Sequence, residues 1–192
     1  MATEYHPALP GGQRARARLA SGVREWELQD ARTQESEVVR TSLEVIVEVE
    51  IERPPPAVWS FISDAERLAE WLGEFEAAHE ESDGPTGIGT VVRYTLKQGH
   101  RSGTFEIVEW DPPRRMAWDG PPLRWAGGAA RPRGSHTLTE TGEDRTSFVS
   151  RYQPELTGTQ VLLVPYLRRW LRRRRLADMQ TLKALLEAGV PS

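Results

Sequence analysis

From Leu43 the chain alternates apolar and polar residues. Val45, Val47, Val49 and Ile51 fall on one side, and Glu48, Glu50 and Glu52 on the other. A period of two is that of a half-buried strand. Arg53-Pro54-Pro55-Pro56 ends it, and prolines suit the first turn of a helix, where a missing N–H costs little. Ala57 to Ile62 then reads as a short helix. Ser63-Asp64 caps a second, with Glu66 in its first turn, which runs to about Leu72 and stops at Gly73. Strands in series follow, a weak one at Phe75–Glu81, then Thr90–Lys97, Gly103–Trp110, Arg115–Asp119, Ser135–Thr141 and Thr146–Pro154, with Gly, Pro and Asp turns among them. Val92, Tyr94 and Leu96 share one face of their strand, and Phe148, Ser150 and Tyr152 share one of theirs. In the strand 103–110 Val108 and Trp110 oppose Phe105 and Ile107, so alternation does not fix its inward face. Gly120 to Gly134, rich in Pro and Gly, reads as a long loop or irregular edge.

The last pattern has the helical period. Strong helix formers run from Pro165 to Ala188, with Gly189 and Pro191 as the stop. At 1.5 Å per residue such a helix is roughly 36 Å long, enough to cross the sheet of a small domain. At ~100° per residue, Val164, Leu171, Leu185 and Leu186 lie within about 60° of Leu182, with Leu167 and Met179 at the edges. The run Arg172–Arg175 conflicts with that stripe, because Arg175 falls about 20° from Leu182. Either the helix end projects past the sheet and the run is solvated, or Arg175 sits in the mouth of a cavity and meets an anionic or carbonyl group. Asp178, at i+3, is its nearest helical partner. Strands in series with helices at the two ends give an α+β domain built on an antiparallel sheet.

Composition changes this picture in a few places. Seven Trp in 192 residues point to a roomy apolar interior, because Trp needs a wall, core or interface to sit in. The absence of Cys excludes disulfides, thiolate metal sites and Cys nucleophiles, and a bridge-free chain suits the cytosol. No signal-type apolar region opens the chain and no run reaches membrane-spanning length, so a cytoplasmic protein is expected. Residues 1–40 are poor in apolar residues and broken by Pro7, Pro10, Gly11 and Gly12. They read as an N-terminal extension, flexible or partly helical, ahead of a domain over 41–190. Net charge is −3, yet residues 160–189 carry seven Lys/Arg against two Asp/Glu. No aromatic-basic RNA motif or finger accompanies that excess, so nucleic acid is not expected. A weak contact of Arg172–Arg175 with an anionic membrane is the remaining partner of that kind. Oligomeric state is left open.

The ordered set of local motifs resembles the START-like (SRPBCC, Bet v 1-like) helix-grip superfamily, and within it the polyketide cyclase/dehydrase and coenzyme Q-binding-protein-like group. A strand followed by Pro56-Ala57-Val58-Trp59-Ser60-Phe61-Ile62-Ser63-Asp64 looks like the family's opening. Glu70-Trp71-Leu72, Gly87-Ile88-Gly89-Thr90, Glu109-Trp110-Asp111-Pro112-Pro113-Arg114-Arg115-Met116 and Leu182-Lys183-Ala184-Leu185-Leu186-Glu187 follow in family order. The resemblance covers about residues 43–188; the first forty residues have no counterpart, and the arginine quartet is denser than the pattern expects. It implies a curved antiparallel sheet of about six to seven strands wrapped round the long C-terminal helix, with two short helices after strand 1. It also implies an apolar cavity between sheet and helix, in a family that includes aromatases, lyases and carriers, so the fold does not settle the activity.

The candidate cavity residues are Trp59, Trp71, Val92, Tyr94, Trp118, Trp125, His136, Leu138, Phe148, Tyr152, Leu171 and Arg175. His136 shares strand parity with Leu138 and is either a wall histidine or a general base near pH 7. Tyr152 and Tyr94 are either core tyrosines or phenols facing a carbonyl. His79 and His100 read as surface. The four His lack ligand spacing, so no metal is expected, and no cofactor motif occurs. Two functions remain: binding of a small hydrophobic molecule of polycyclic, polyketide or isoprenoid type, or a cyclase/aromatase that folds a poly-β-carbonyl chain, with His136 or Tyr152 moving protons. Convergence of two or more titratable groups in the cavity favours the enzyme; a lone polar group favours binding.

Overall fold

The computed structural model describes residues 40–188 except Ala126, and the side chain of Trp125 is also outside the described part. Strand β1 is Arg40–Ser42 and β2 Val45–Ile51; α1 is Pro55–Ile62 and α2 Leu68–Trp71, the latter entered through a 3-10 turn at Ala65–Arg67. Strands β3 to β6 follow at Phe75–Glu80, Val91–Leu96, Ser102–Asp111 and Arg115–Asp119. β7 to β11 are Leu123–Trp125, Gly128–Arg131, Arg133–Gly142, Arg145–Tyr152 and Glu155–Gly158. A 3-10 turn at Thr159–Leu163 leads into α3, Val164–Glu187. The described domain is the expected α+β helix grip.

Seven antiparallel strands form the main sheet in the order β2-β10-β9-β6-β5-β4-β3. β2 behaves as its sequence dictates, with Val45, Val47, Val49 and Ile51 buried and the residues between them exposed. Register then carries one inward row across the strands: Val47 opposite Ser150, Ser150 opposite His136, His136 opposite Met116 and Met116 opposite Trp110. The α1–α2 segment and α3 close the sheet on its inward side. Val58, Phe61, Ile62, Trp71, Met179, Leu182 and Leu186 join the strand residues in one core. The Asp64 side chain accepts from the Glu66 N–H, so the polar cap expected at Ser63-Asp64 falls on Asp64.

The C-terminal half of α3 is fastened to the end of β2. Lys183 Nζ donates to the Glu50 carbonyl at 2.7 Å, Arg53 Nε to the Leu186 carbonyl at 2.9 Å, and the Glu52 N–H to Glu187 at 2.8 Å. The Arg53 bond satisfies a helix-end carbonyl that has no partner within the helix.

One expectation is corrected, and one question that alternation left open is answered. The Pro/Gly segment 120–134 is not simply a loop, since β7 and β8 lie in it and form a second sheet in the order β1-β11-β8-β7. The strands of that sheet are three or four residues long, too short for alternation to register. The parity of β5 is broken by a bulge. Ile107 pairs with Trp118, but Glu109 pairs with Ala117, so one residue is extra on β5. Ile107 is buried, Val108 is exposed, and Trp110 returns to the inner face against Trp59 at 4.8 Å.

Candidate functional site

Between the inner face of the sheet, the α2–β3 turn and α3 lies a cavity of about 140 Å³. Its deep wall is apolar: Leu68, Leu72, Val92, Ile107 and Met116. Half-exposed Leu96, Phe105, Trp118, Leu123 and Pro132 mark its open side. Its size is that of a single aromatic ring, by comparison with dry cavities of ~150 Å³ that accept benzene.

Two of the wall aromatics owe their position to glycine on a neighbouring strand. Tyr94 on β4 lies opposite Gly103 on β5, and a Cβ there would come within 2.5 Å of the phenol oxygen. Trp118 on β6 lies opposite Gly134 on β9, where a Cβ would meet the indole at 2.6 Å. Each ring therefore lies across a strand that has no side chain to hold it off. Tyr94 also stacks flat on Phe75 at 4.7 Å.

His136 sits in an aromatic box. Its ring is 4.5 Å from Trp118, 4.9 Å from Phe148 and 5.7 Å from Trp71. Burial, with the Arg175 charge second, pushes its pKa from 6.5 down to about 3, so the ring is neutral at pH 7. Its Nδ1 is buried without a hydrogen-bond partner among the described residues. A base of that pKa is poorly matched to proton abstraction at neutral pH, which favours the wall histidine of the two roles that the sequence left open.

The polar end of the cavity is a knot of charges. Arg175 Nη2 donates to Glu74 at 3.1 Å and Nη1 to Asp178 at 3.3 Å. Asp178 also accepts the Gly73 N–H at 3.1 Å, and Arg174 lies 3.5 Å from Glu74. The guanidinium lies 4.7 Å from the centre of the Tyr152 ring. Burial is the largest influence on Asp178 and holds its pKa above the usual carboxylate range, against the pull of Arg175 and the Gly73 N–H. Burial first, then Tyr152 and Glu74, pushes Tyr94 up to about 12, and burial likewise raises Tyr152. At pH 7 both tyrosines are neutral hydroxyls, able to donate to an oxygen of a bound molecule.

Of the residues singled out from sequence, Val92, Tyr94, Trp118, His136, Tyr152 and Arg175 line this cavity. Trp59, Trp71, Leu138 and Phe148 lie behind the wall as buried core, and Leu171 packs against that core half-exposed. The inward parity of Leu138 and Phe148 is right, but the α1–α2 segment and α3 close over that part of the sheet. Trp125 falls outside the described side chains. The arginine quartet splits, with Arg172 and Arg173 exposed and Arg174 and Arg175 drawn under. His79 and His100 are exposed. Sequence reasoning missed Glu74 and Ser150. Ser150 shares its strand face with Phe148 and Tyr152, a signal that was available; Glu74 follows a helix stop and carries no local signal. Among the described residues no cluster of His, Asp or Glu is placed to hold a metal, and no helix is long and apolar enough to cross a membrane.

Residues 42–187 match the family model described as polyketide cyclase / dehydrase and lipid transport. No curated protein matches the chain. Among solved structures it is similar to a protein from Thermus thermophilus, at 22% identity and TM-score 0.61 over 77% of this chain and 99% of that one. It is also similar to the ZhuI aromatase/cyclase from Streptomyces sp. R1128, at 19% identity and TM-score 0.60 over 79% and 98%. A START superfamily protein from Mycobacterium smegmatis matches at 15% identity and TM-score 0.59 over 76% and 98%. At these identities the likeness is one of fold.

Proposed function

The chain belongs to the polyketide cyclase/dehydrase and lipid transport family, and on that premise we propose that it binds a small, largely apolar, ring-bearing molecule in the cavity under α3. One ring occupies the aromatic and aliphatic space, and the rest of the ligand leaves by the open side past Phe105, Leu123 and Pro132. A carbonyl, enol or phenol oxygen faces Tyr94, Tyr152 and Arg175. Polyketide-like and isoprenoid-like molecules both have this chemistry. The observation that carries the reading is an apolar cavity the size of one ring with its charged groups gathered at one end. Glu74, Tyr94, His136, Tyr152 and Arg175 all line the cavity, yet His136 at about 3 and Tyr94 at about 12 stand far from a proton-transfer pKa near 7. Arg175 is already matched by two carboxylates. Such a set orients an oxygen better than it moves a proton.

Convergence of these groups on one cavity favours a second reading, cyclase/aromatase activity. Tyr94, Tyr152 and Arg175 would then stabilise an enolate oxygen while the walls fold a poly-β-carbonyl chain. Mass spectrometry under native conditions, after incubation with a lipid and polyketide extract, tests both. A retained, unchanged apolar molecule with an oxygen function supports binding. A dehydrated or cyclised product supports catalysis. An empty protein contradicts both.

A further inference from the structure

The first half of α3 is a helix with no acidic residue and little packing. Between Val164 and Ala177 it carries six arginines, and the first carboxylate is Asp178. Arg174 and Arg175 are ion-paired as described above. Arg168, Arg169, Arg172 and Arg173 are exposed, and none is within ion-pair distance of a carboxylate among the described residues. No acidic residue lies in the first turn, and Arg168/Arg172 and Arg169/Arg173 are like charges four residues apart, which works against the helix on its own.

Large apolar residues lie on the same surface. Leu162 is 82% exposed and Tyr166 68%, and Leu163, Trp170 and Leu176 are exposed too. At ~100° per residue Tyr166 and Trp170 lie about 40° apart, away from the line of Leu171 and Leu182 that faces the core, with Arg169 and Arg173 beside them. A merely solvated face would be polar there. Aromatics flanked by arginines, with aliphatic residues at the helix start, match a helix lying in a lipid interface. The aliphatic residues argue against a nucleic acid, which would use the arginines and aromatics and leave Leu162, Leu163 and Leu176 in water.

We propose that this exposed first half of α3, with the turn before it, docks on a bilayer surface rich in anionic phospholipid, with Leu162, Tyr166 and Trp170 at the acyl boundary and Arg169 and Arg173 among the headgroups. Trp170 and Arg175 are five residues apart, so the docked surface begins about 7.5 Å along the helix from the cavity wall. An apolar ligand held in the membrane would then be close to the cavity.

The test is co-sedimentation of the full chain with vesicles of phosphatidylcholine plus phosphatidylglycerol, against vesicles of phosphatidylcholine alone. The expected result is binding to the mixed vesicles only, weakened by salt. At about fivefold per arginine, Arg169→Gln with Arg173→Gln should weaken partition by roughly 25-fold. Tyr166→Ser with Trp170→Ser should abolish quenching of Trp emission by brominated lipid. Circular dichroism and binding of a hydrophobic dye show whether these variants keep the fold and cavity. Absence of vesicle binding overturns the proposal, as does equal binding by the folded variants. Dimerisation by light scattering that these same substitutions abolish, without vesicle binding, also overturns it and assigns the face to a second copy. Binding of a single-stranded oligonucleotide in place of vesicles overturns it likewise.

Discussion

Arg175 and Glu74, 101 residues apart in sequence, meet at 3.1 Å and tie α3 to the turn that opens β3. Asp178 completes the arrangement from the helix side, and the side chains of Arg175 and Asp178 are only 12% and 5% exposed. Arg175→Met leaves Asp178 without its ion-pair partner and Glu74 with Arg174 alone. Removing one partner of a buried pair costs ~3–5 kcal/mol, and Glu74's partial exposure reduces this to about 2–4 kcal/mol. Thermal unfolding should show a fall of several degrees. An unchanged midpoint would mean that the knot is not structural.

His136 gives the pH dependence a definite sign. Its folded pKa is depressed to about 3 against 6.5 in the unfolded chain, so at acid pH the unfolded chain binds the extra proton. The stability linked to the neutral ring is fully present above about pH 6.5 and is lost as pH falls toward about 3. Asp178, with its raised pKa, acts in the opposite sense near the acid end. Between pH 7 and pH 5 the protein should lose about 2 kcal/mol more than His136→Gln does, measured by urea unfolding at both pH values. Parallel pH profiles for the two proteins would contradict the buried neutral ring.

Gly103→Ala should displace the Tyr94 ring, because the added carbon would lie 2.5 Å from the phenol oxygen. A cost of about 1–3 kcal/mol is expected, together with weaker binding of an apolar probe. In a Tyr94→Ala background the same Gly103→Ala change should cost less, a recovery of part of that penalty in a double-mutant cycle. No recovery would show that the glycine serves the backbone rather than the ring.

Residues 1–36 lie ahead of the family match and contain few apolar residues. Their deletion should leave the thermal midpoint within a few degrees; a loss above roughly 10 °C would contradict a self-sufficient domain beyond them.

What could be read in the sequence follows from how local each signal is. The alternation of β2 and the helical period of α3 need only neighbours, and both are seen as expected. Arg175 was legible because 3.6-residue geometry puts it beside Leu182 whatever surrounds it, and Asp178 was visible at i+3. Glu74 was not, since its partner is on an element 101 residues away. Strand parity correctly named Leu138 and Phe148 as inward, but parity gives a direction and not a depth, so core behind the wall was counted as cavity. The extra residue in β5 reverses parity at Val108, and a two-residue period cannot announce its own interruption. The short strands β1, β7, β8 and β11 are specified by pairing with one another rather than by pattern.

The most direct measurement of ligand binding in this cavity is a calorimetric titration of a small phenolic aromatic, 2-naphthol, into the full chain and into Leu123→Trp. Leu123 is half-exposed at the open side, so a larger side chain there should block the cavity with little effect on the fold. The account predicts one saturable site on the unmodified chain with a dissociation constant below about 1 mM, and loss of that site in the folded variant. Equal binding by both proteins, or no saturable binding by either, would contradict it.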